Sequence, residues 1–225
     1  MSLGKAVAYE SAGTVEFIYD VEREDFYFLE VNTRLQVEHP ITEAITGVDI
    51  IAEQFRIAAG LEISFDEDPE SRGHAFEFRL NAEDAANGFV PSPGTVVRFE
   101  APTVPGIRVD SGVRSGSTIP GFYDSLMAKL IVSGPTREIA LKRARAALHE
   151  ITIEGVRTVL PFHKDIVTHP AFSEDHLDVY TDWVDKEYQP GIGAGYTGSS
   201  PSDMEAAYDE RTTMTVEIDG RLHRL

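Results

Sequence analysis

Hydrophobic and polar positions alternate most sharply near the start of the chain. Residues 14–20 (TVEFIYD) and 26–32 (FYFLEVN) are rich in aromatic and β-branched side chains, and the charged segment 21–25 (VERED) separates them. That pattern predicts two strands joined as a hairpin. A symmetric register with Ile18 opposite Phe28 sets Glu16 opposite Glu30. Asn32, two residues beyond Glu30, shares that face. Upstream, residues 4–11 read as the end of a helix closed by Gly13. A two-stranded hairpin is not stable alone, so the chain reads as a piece beginning inside a domain, with 1–3 (MSL) an appended scar.

Further along, Asp49 as N-cap and Gly60 as C′ residue predict a helix over 50–59. Its apolar stripe is Ile50, Ile51, Phe55, Ala58 and Ala59, with Glu53 and Arg56 on a solvated face. Residues 62–72 are acidic and polar and mark a boundary. In 74–83, Phe76, Phe78 and Leu80 alternate with Glu77, Arg79 and Asn81, a strand with one buried face. More strands are predicted at 95–100, 107–112 and 126–133, punctuated by Pro-Gly at 105–106 and 120–121. Thr136 caps a helix with Ile139, Ala140, Ala144, Ala147 and Leu148 inside and Arg137, Lys142, Arg143 and Arg145 outside. The pattern stays helical from 151 to 184. The stretch 185–203 is rich in Gly, Pro and Ser and reads as a flexible linker; 212–218 and 221–225 read as the start of another hairpin.

The 225 residues include no cysteine. That fits a reducing, cytoplasmic setting. No apolar run approaches the roughly 20 residues that span a bilayer. With 20 basic against 38 acidic residues, the net charge is −18. Such a surface repels a nucleic-acid backbone, so the four basic residues of the helix capped by Thr136 read as a wet face. The histidines at 163, 169 and 176 are spaced too irregularly for a metal pair and read as surface residues. His39 reads as structural.

The facing glutamates change the picture. Two carboxylates opposite each other repel unless a cation lies between them or one takes a proton. The competing reading is a surface hairpin with two solvated acids. Glu16, Glu30 and the Asn32 amide oxygen form a hard, oxygen-only set, which suits Mg²⁺ or Mn²⁺ carrying substrate phosphates. Just beyond, Arg34, Gln36 and Glu38 alternate along what reads as one extended segment. An arginine, an amide and a carboxylate together suit a small oxyanion, held by Arg34 and deprotonated by Glu38.

These residues lie in FLEVNTRLQVEHPITEAITGVDI, which closely resembles the signature of biotin carboxylases, the ATP-grasp component of biotin-dependent carboxylases. The resemblance continues through RGHAFEFRLNAED, FVPSPG and YDSLMAKLIV, and covers roughly residues 5–183. It implies an α+β fold: the C-terminal half of an ATP-grasp domain at 4–72, then the β-rich biotin carboxylase C-terminal domain at 73–184. A linker at 185–211 and the start of a following module at 212–225 would complete the order.

The resemblance also implies an activity. Bicarbonate attacks the γ-phosphate of ATP, and the carboxyphosphate formed carboxylates biotin on its carrier domain. Glu16, Glu30 and Asn32 would hold the metals. Arg34, Gln36 and the Val37 N–H would hold bicarbonate, Glu38 would be the base, and Arg79 would meet the biotin ureido oxygen. Arg108, in PGIRV, resembles an arginine of the homodimer interface. An acyl-CoA carboxylase α-chain, working with a carboxyltransferase subunit, is the expected setting. Pyruvate and urea carboxylases share the signature, and carbamoyl-phosphate synthetases share the acidic hairpin but not QVEHP. From another class, the piece could serve as a non-catalytic assembly module. The family's glycine-rich loop and ATP-binding lysines lie upstream of this point, so the piece alone is expected to be inactive.

Overall fold

A computed structural model describes residues 2–173, 177–188, 215–218 and 221–224. The first helix, α1 (Ser2–Ala6), is shorter than the 4–11 expectation. Strands β1 (Thr14–Asp20) and β2 (Asp25–Asn32) form the antiparallel hairpin. Glu16 pairs with Glu30, and Thr14 with Asn32. Ile18, however, faces Tyr27, because the register shifts by one between Glu16 and Phe17. Leu29 is the extra residue of a β-bulge, which leaves one residue unpaired and re-aims its neighbours. In a regular strand Phe28 and Glu30 would share a face. The bulge instead sets Phe28 against Phe17, ring edge to ring face at 6.2 Å, and keeps the acids on the opposite side.

Helices α2 (His39–Thr46) and α3 (Ile50–Ala58) follow. Pro40 starts α2, where its missing N–H costs nothing, and Gly47 ends it at φ +75°. Asp49 caps α3 by accepting from the Ala52 N–H at 2.8 Å. The expected packing stripe of α3 is open: Phe55 is 72% exposed. Glu53 is not simply solvated, for it accepts from both the backbone and the hydroxyl of Ser64, and those bonds hold its pKa down.

The core belongs to the rest of the chain. Strand β3 (His74–Asn81) leads into short strands β4 (Glu83–Asp84), β5 (Val90–Pro91), β6 (Gly94–Thr95) and β7 (Arg98–Glu100). Then come β8 (Ile107–Ser111), β9 (Thr118–Ile119) and the long β10 (Leu126–Gly134). The principal sheet is antiparallel in the order β3-β10-β8. Helix α4 (Arg137–Glu150) covers β10 and β3. Leu80, Leu130, Val132, Ala144 and Leu148 are fully buried between them. Each such leucine contributes about 2–3 kcal/mol by leaving water.

Several expectations fail in this region. Ile139 is 38% exposed and Leu141 takes its place inside, because Leu141 lies three and seven residues before Ala144 and Leu148 and so shares their face. The arginines of α4 are not merely wet. Arg137, Arg143 and Arg145 donate to the carbonyls of Phe172, Ser133 and Val167. Residues Thr152–Glu154 form strand β11, paired with β7, where a helix was expected. The alternation Ile151-Thr-Ile153 suits a strand, and Ile153 is buried. At Gly155, φ is +96° and a Cβ would strike the Thr95 carbonyl, so glycine is required there.

Helices α5 (Leu160–Ile166), α6 (Pro170–Ser173) and α7 (Trp183–Lys186) close the fold. The expected linker start at 185 falls inside α7, whose Trp183 is buried and brings Tyr188 against the core. His163 and His169 pack inward: His163 lies against Phe78, and His169 against the Trp183 ring. His176 and the remaining linker lie outside the described residues. Strands β12 (Thr215–Ile218) and β13 (Arg221–Arg224) pair antiparallel.

Candidate active site

The hairpin brings Glu16, Glu30 and Asn32 together. The Asn32 Nδ2 donates to Glu16 Oε1 at 2.8 Å and to Glu30 Oε1 at 3.0 Å. Gln36 Nε2 donates to the same Glu16 oxygen at 2.7 Å. The amide nitrogen of Asn32, not its oxygen, therefore faces the acids, while Arg34 donates to the Asn32 Oδ1 at 3.3 Å. Turning the amide over would complete an oxygen-only set. The donors fit a nucleotide-borne Mg²⁺, which takes one or two protein carboxylates and leaves the rest to phosphate and water. Among the described residues no three His, Cys, Asp or Glu side chains group as a self-sufficient metal cage.

Residues 33–38 do not run as one extended segment. The chain bends at Arg34 and turns at Val37–Glu38, because α2 begins at His39 and the Ile41 N–H bonds back to the Glu38 carbonyl at 3.1 Å. Alternation along the segment therefore does not set one common direction. Gln36 reaches back to the hairpin, and Glu38 reaches forward to β3. Its Oε2 accepts from Arg79 at 2.9 Å, with both side chains about half exposed. Arg79 thus pairs across 41 positions with the loop rather than with Glu77 or Asp84. His39 is structural in its contacts: its Nδ1 stands 2.7 Å from the Gln36 carbonyl. The Gln36 Oε1 is buried with no hydrogen-bond partner among the described residues.

Under this loop the polar face of the sheet carries ordered charges. Arg79, Lys129 and Asp110 lie side by side across β3, β10 and β8, and Glu77, Ile131 and Arg108 form the next row. Arg108 donates to Asp110 at 2.7 and 2.8 Å and to Glu43 of α2 at 2.6 Å. The bond from Arg108 holds the Asp110 carboxyl below its usual range, and the two acids raise the Arg108 pKa further. Glu77 has no partner for either oxygen among the described residues, and burial raises its pKa. His163 accepts or donates at the Arg79 carbonyl, 2.8 Å away, and burial lowers its pKa. Lys129 donates to the Val37 carbonyl at 3.0 Å. Sequence reasoning missed Lys129; its signal was the one charge in the apolar run LMAKLIV.

An acidic hairpin whose loop pairs with an arginine of the following sheet has known counterparts. One family model, "Biotin carboxylase C-terminal domain", matches residues 77–186. Another, "Carbamoyl-phosphate synthase L chain, ATP binding domain", matches residues 1–65. The chain belongs to the biotin carboxylase family. It is 48% identical to the biotin-dependent acyl-coenzyme A carboxylase alpha3 subunit of Mycobacterium leprae, over 96% of this chain and 36% of that protein. It is 49% identical to biotin carboxylase 1 of Bacillus subtilis, over 75% of this chain and 38% of that protein. The biotin carboxylase domain dimer of Hydrogenobacter thermophilus 2-oxoglutarate carboxylase, solved with MgADP, ADP and bicarbonate, superposes with a TM-score of 0.77. It is 45% identical, over 81% of this chain and 40% of that one. The chain thus spans two fifths or less of these relatives. The fold is that of an ATP-grasp biotin carboxylase, and its homologues are ATP-dependent ligases.

An open groove lies apart from this chemistry. A groove of about 760 Å³ runs between α2–α3 and β8–β10, with Phe55, Ile51, Glu43 and Arg108 on its walls. Of the candidate residues it includes Arg108 alone. No described helix is long and apolar enough to cross a membrane.

Proposed function

We propose that the full-length protein carboxylates biotin at the expense of ATP, using bicarbonate, and that this chain supplies the metal-binding hairpin, the bicarbonate loop and the biotin-facing arginine. The observation that carries this reading is the 2.9 Å Glu38–Arg79 pair. It sets a carboxylate able to deprotonate bicarbonate beside a guanidinium able to hold an enolate-like ureido oxygen. Glu16, Glu30 and Asn32 would hold Mg²⁺ or Mn²⁺; when bound, the metal neutralises the phosphates of ATP. Arg34, Gln36 and the Val37 N–H hold bicarbonate. Glu38 takes its proton. Arg79 then orients biotin arriving on a carrier domain.

The acceptor is a finer matter. We favour an acyl-CoA carboxylase α-chain in the cytoplasm, with a separate carboxyltransferase subunit. The 96% coverage by the M. leprae relative, reaching past the α7 region, supports this reading. Homodimerisation through the C-terminal domain is part of the same proposal, with Arg108 at the edge of the open groove. The test is ATP cleavage by the full-length protein with and without bicarbonate and free biotin. Bicarbonate-dependent cleavage that biotin stimulates is expected; cleavage indifferent to both would refute the assignment.

A further inference from the structure

Lys129 is a withdrawn ammonium in the middle of a charged row, between Arg79 of β3 and Asp110 of β8. It lies on β10, the central strand of the principal sheet, and Ile131, two residues on along the same face, is 2% exposed. Its own side chain is 13% exposed. Withdrawing an ammonium from water is costly unless it is paired and hydrogen-bonded. Asp110, its cross-strand neighbour, stands 3.9 Å away and supplies the opposite charge. Among the described residues its one hydrogen bond goes elsewhere, to the Val37 carbonyl at 3.0 Å, 92 positions earlier in sequence.

That carbonyl shares its peptide plane with the Glu38 N–H. Fixing it fixes two things. On one side is ψ of Val37, whose N–H, assigned to bicarbonate by the proposed function, lies one peptide plane earlier, where the Gln36 carbonyl meets His39 at 2.7 Å. On the other is the root of the Glu38 side chain, which pairs with Arg79, the residue across from Lys129 on β3. The hairpin anchors the same loop from its other end through Gln36 and Glu16. Lys129 is the anchor from the C-terminal sheet.

Resting on the proposed function, we infer that Lys129 is a positioning residue for bicarbonate: it locks the Val37–Glu38 peptide and does not itself touch substrate. The test uses the full-length protein and varies bicarbonate at saturating MgATP, then MgATP at saturating bicarbonate. Lys129→Met should raise the bicarbonate KM about tenfold and leave the MgATP KM within about twofold, since it removes a charged hydrogen bond to the loop and nothing from the hairpin. Lys129→Gln keeps an amide donor and should fall between the two. It also serves if the Met variant fails to fold. An unchanged bicarbonate KM in either folded variant, or an equal rise in both KM values, would overturn the inference. If the unmutated protein shows no bicarbonate-dependent cleavage, the functional reading fails first and the inference with it.

Discussion

The hairpin and the C-terminal sheet are built from similar strand-forming residues yet stand on opposite footings. In the hairpin, Phe17, Phe26, Tyr27, Phe28 and Leu29 are each about half exposed. In the sheet, Phe78, Leu80, Leu130 and Val132 are buried under α4. The hairpin is held by its ladder, one aromatic cluster and the polar bonds around Glu16; the sheet is held by apolar burial. The difference separates two jobs. On the proposed reading, a site for a metal-bound polyphosphate rests on a polar hairpin, while Arg79 and Lys129, which reach the adjoining loop, rise from the sheet over the buried core. Substitutions on either side of that contrast should behave differently.

The largest effect is expected where the two regions meet. Glu38→Gln in the full-length protein should lower bicarbonate-dependent ATP cleavage about a thousandfold, a loss within the range for removing a general base. Nucleotide affinity should stay intact, because the hairpin proposed to bind the metal is untouched; steady-state rates and equilibrium nucleotide binding measure the two.

Next comes stability. Leu130→Ala should cost about 2–5 kcal/mol by opening a cavity in the core. Phe28→Ala in the same 225-residue chain should cost well under about 1 kcal/mol, since that ring is already 58% exposed. Urea denaturation of the two variants reads the contrast, and equal losses would erase it.

Arg79→Gln should reduce biotin-dependent turnover by about a hundredfold while changing stability by less than about 1 kcal/mol. Its ion pair with Glu38 is half exposed, and such pairs are weak.

The smallest effect concerns Glu77. Its folded pKa is raised by burial, so above the unfolded carboxylate pKa the native state binds more protons than the unfolded one. Its contribution to stability is then present at acid pH and lost as pH rises through the folded pKa. Glu77→Gln keeps the shape and removes the charge. The variant should be more stable than the parent sequence near neutral pH, and the gap should close below about pH 4.5. Denaturation curves at several pH values check the trend.

Much of this was legible in the sequence because it is local. The strand-forming runs and the charged connection set the hairpin and the Glu16–Glu30 pairing. The N-caps Asp49 and Thr136 placed two helix starts. What escaped was non-local. The bulge at Leu29, which sets Phe28 against Phe17, is encoded in neither strand's pattern alone. The Glu38–Arg79 pair spans 41 positions and the Lys129–Val37 bond spans 92. His163 was misread because irregular spacing argues against a metal pair but says nothing of burial against Phe78. Arg108 is already engaged by Glu43 and Asp110 within the chain, a partnership that its PGIRV context did not announce.

The most direct trial of the metal-binding hairpin is a calorimetric titration of the full-length protein with MgADP, beside a Glu30→Gln variant. Removing this one charge should weaken magnesium-dependent nucleotide binding by at least about tenfold while leaving the melting temperature nearly unchanged, since Glu30 is exposed. Equal affinity in the two proteins would contradict the proposal, because the facing acids would then have no part in holding the nucleotide's metal.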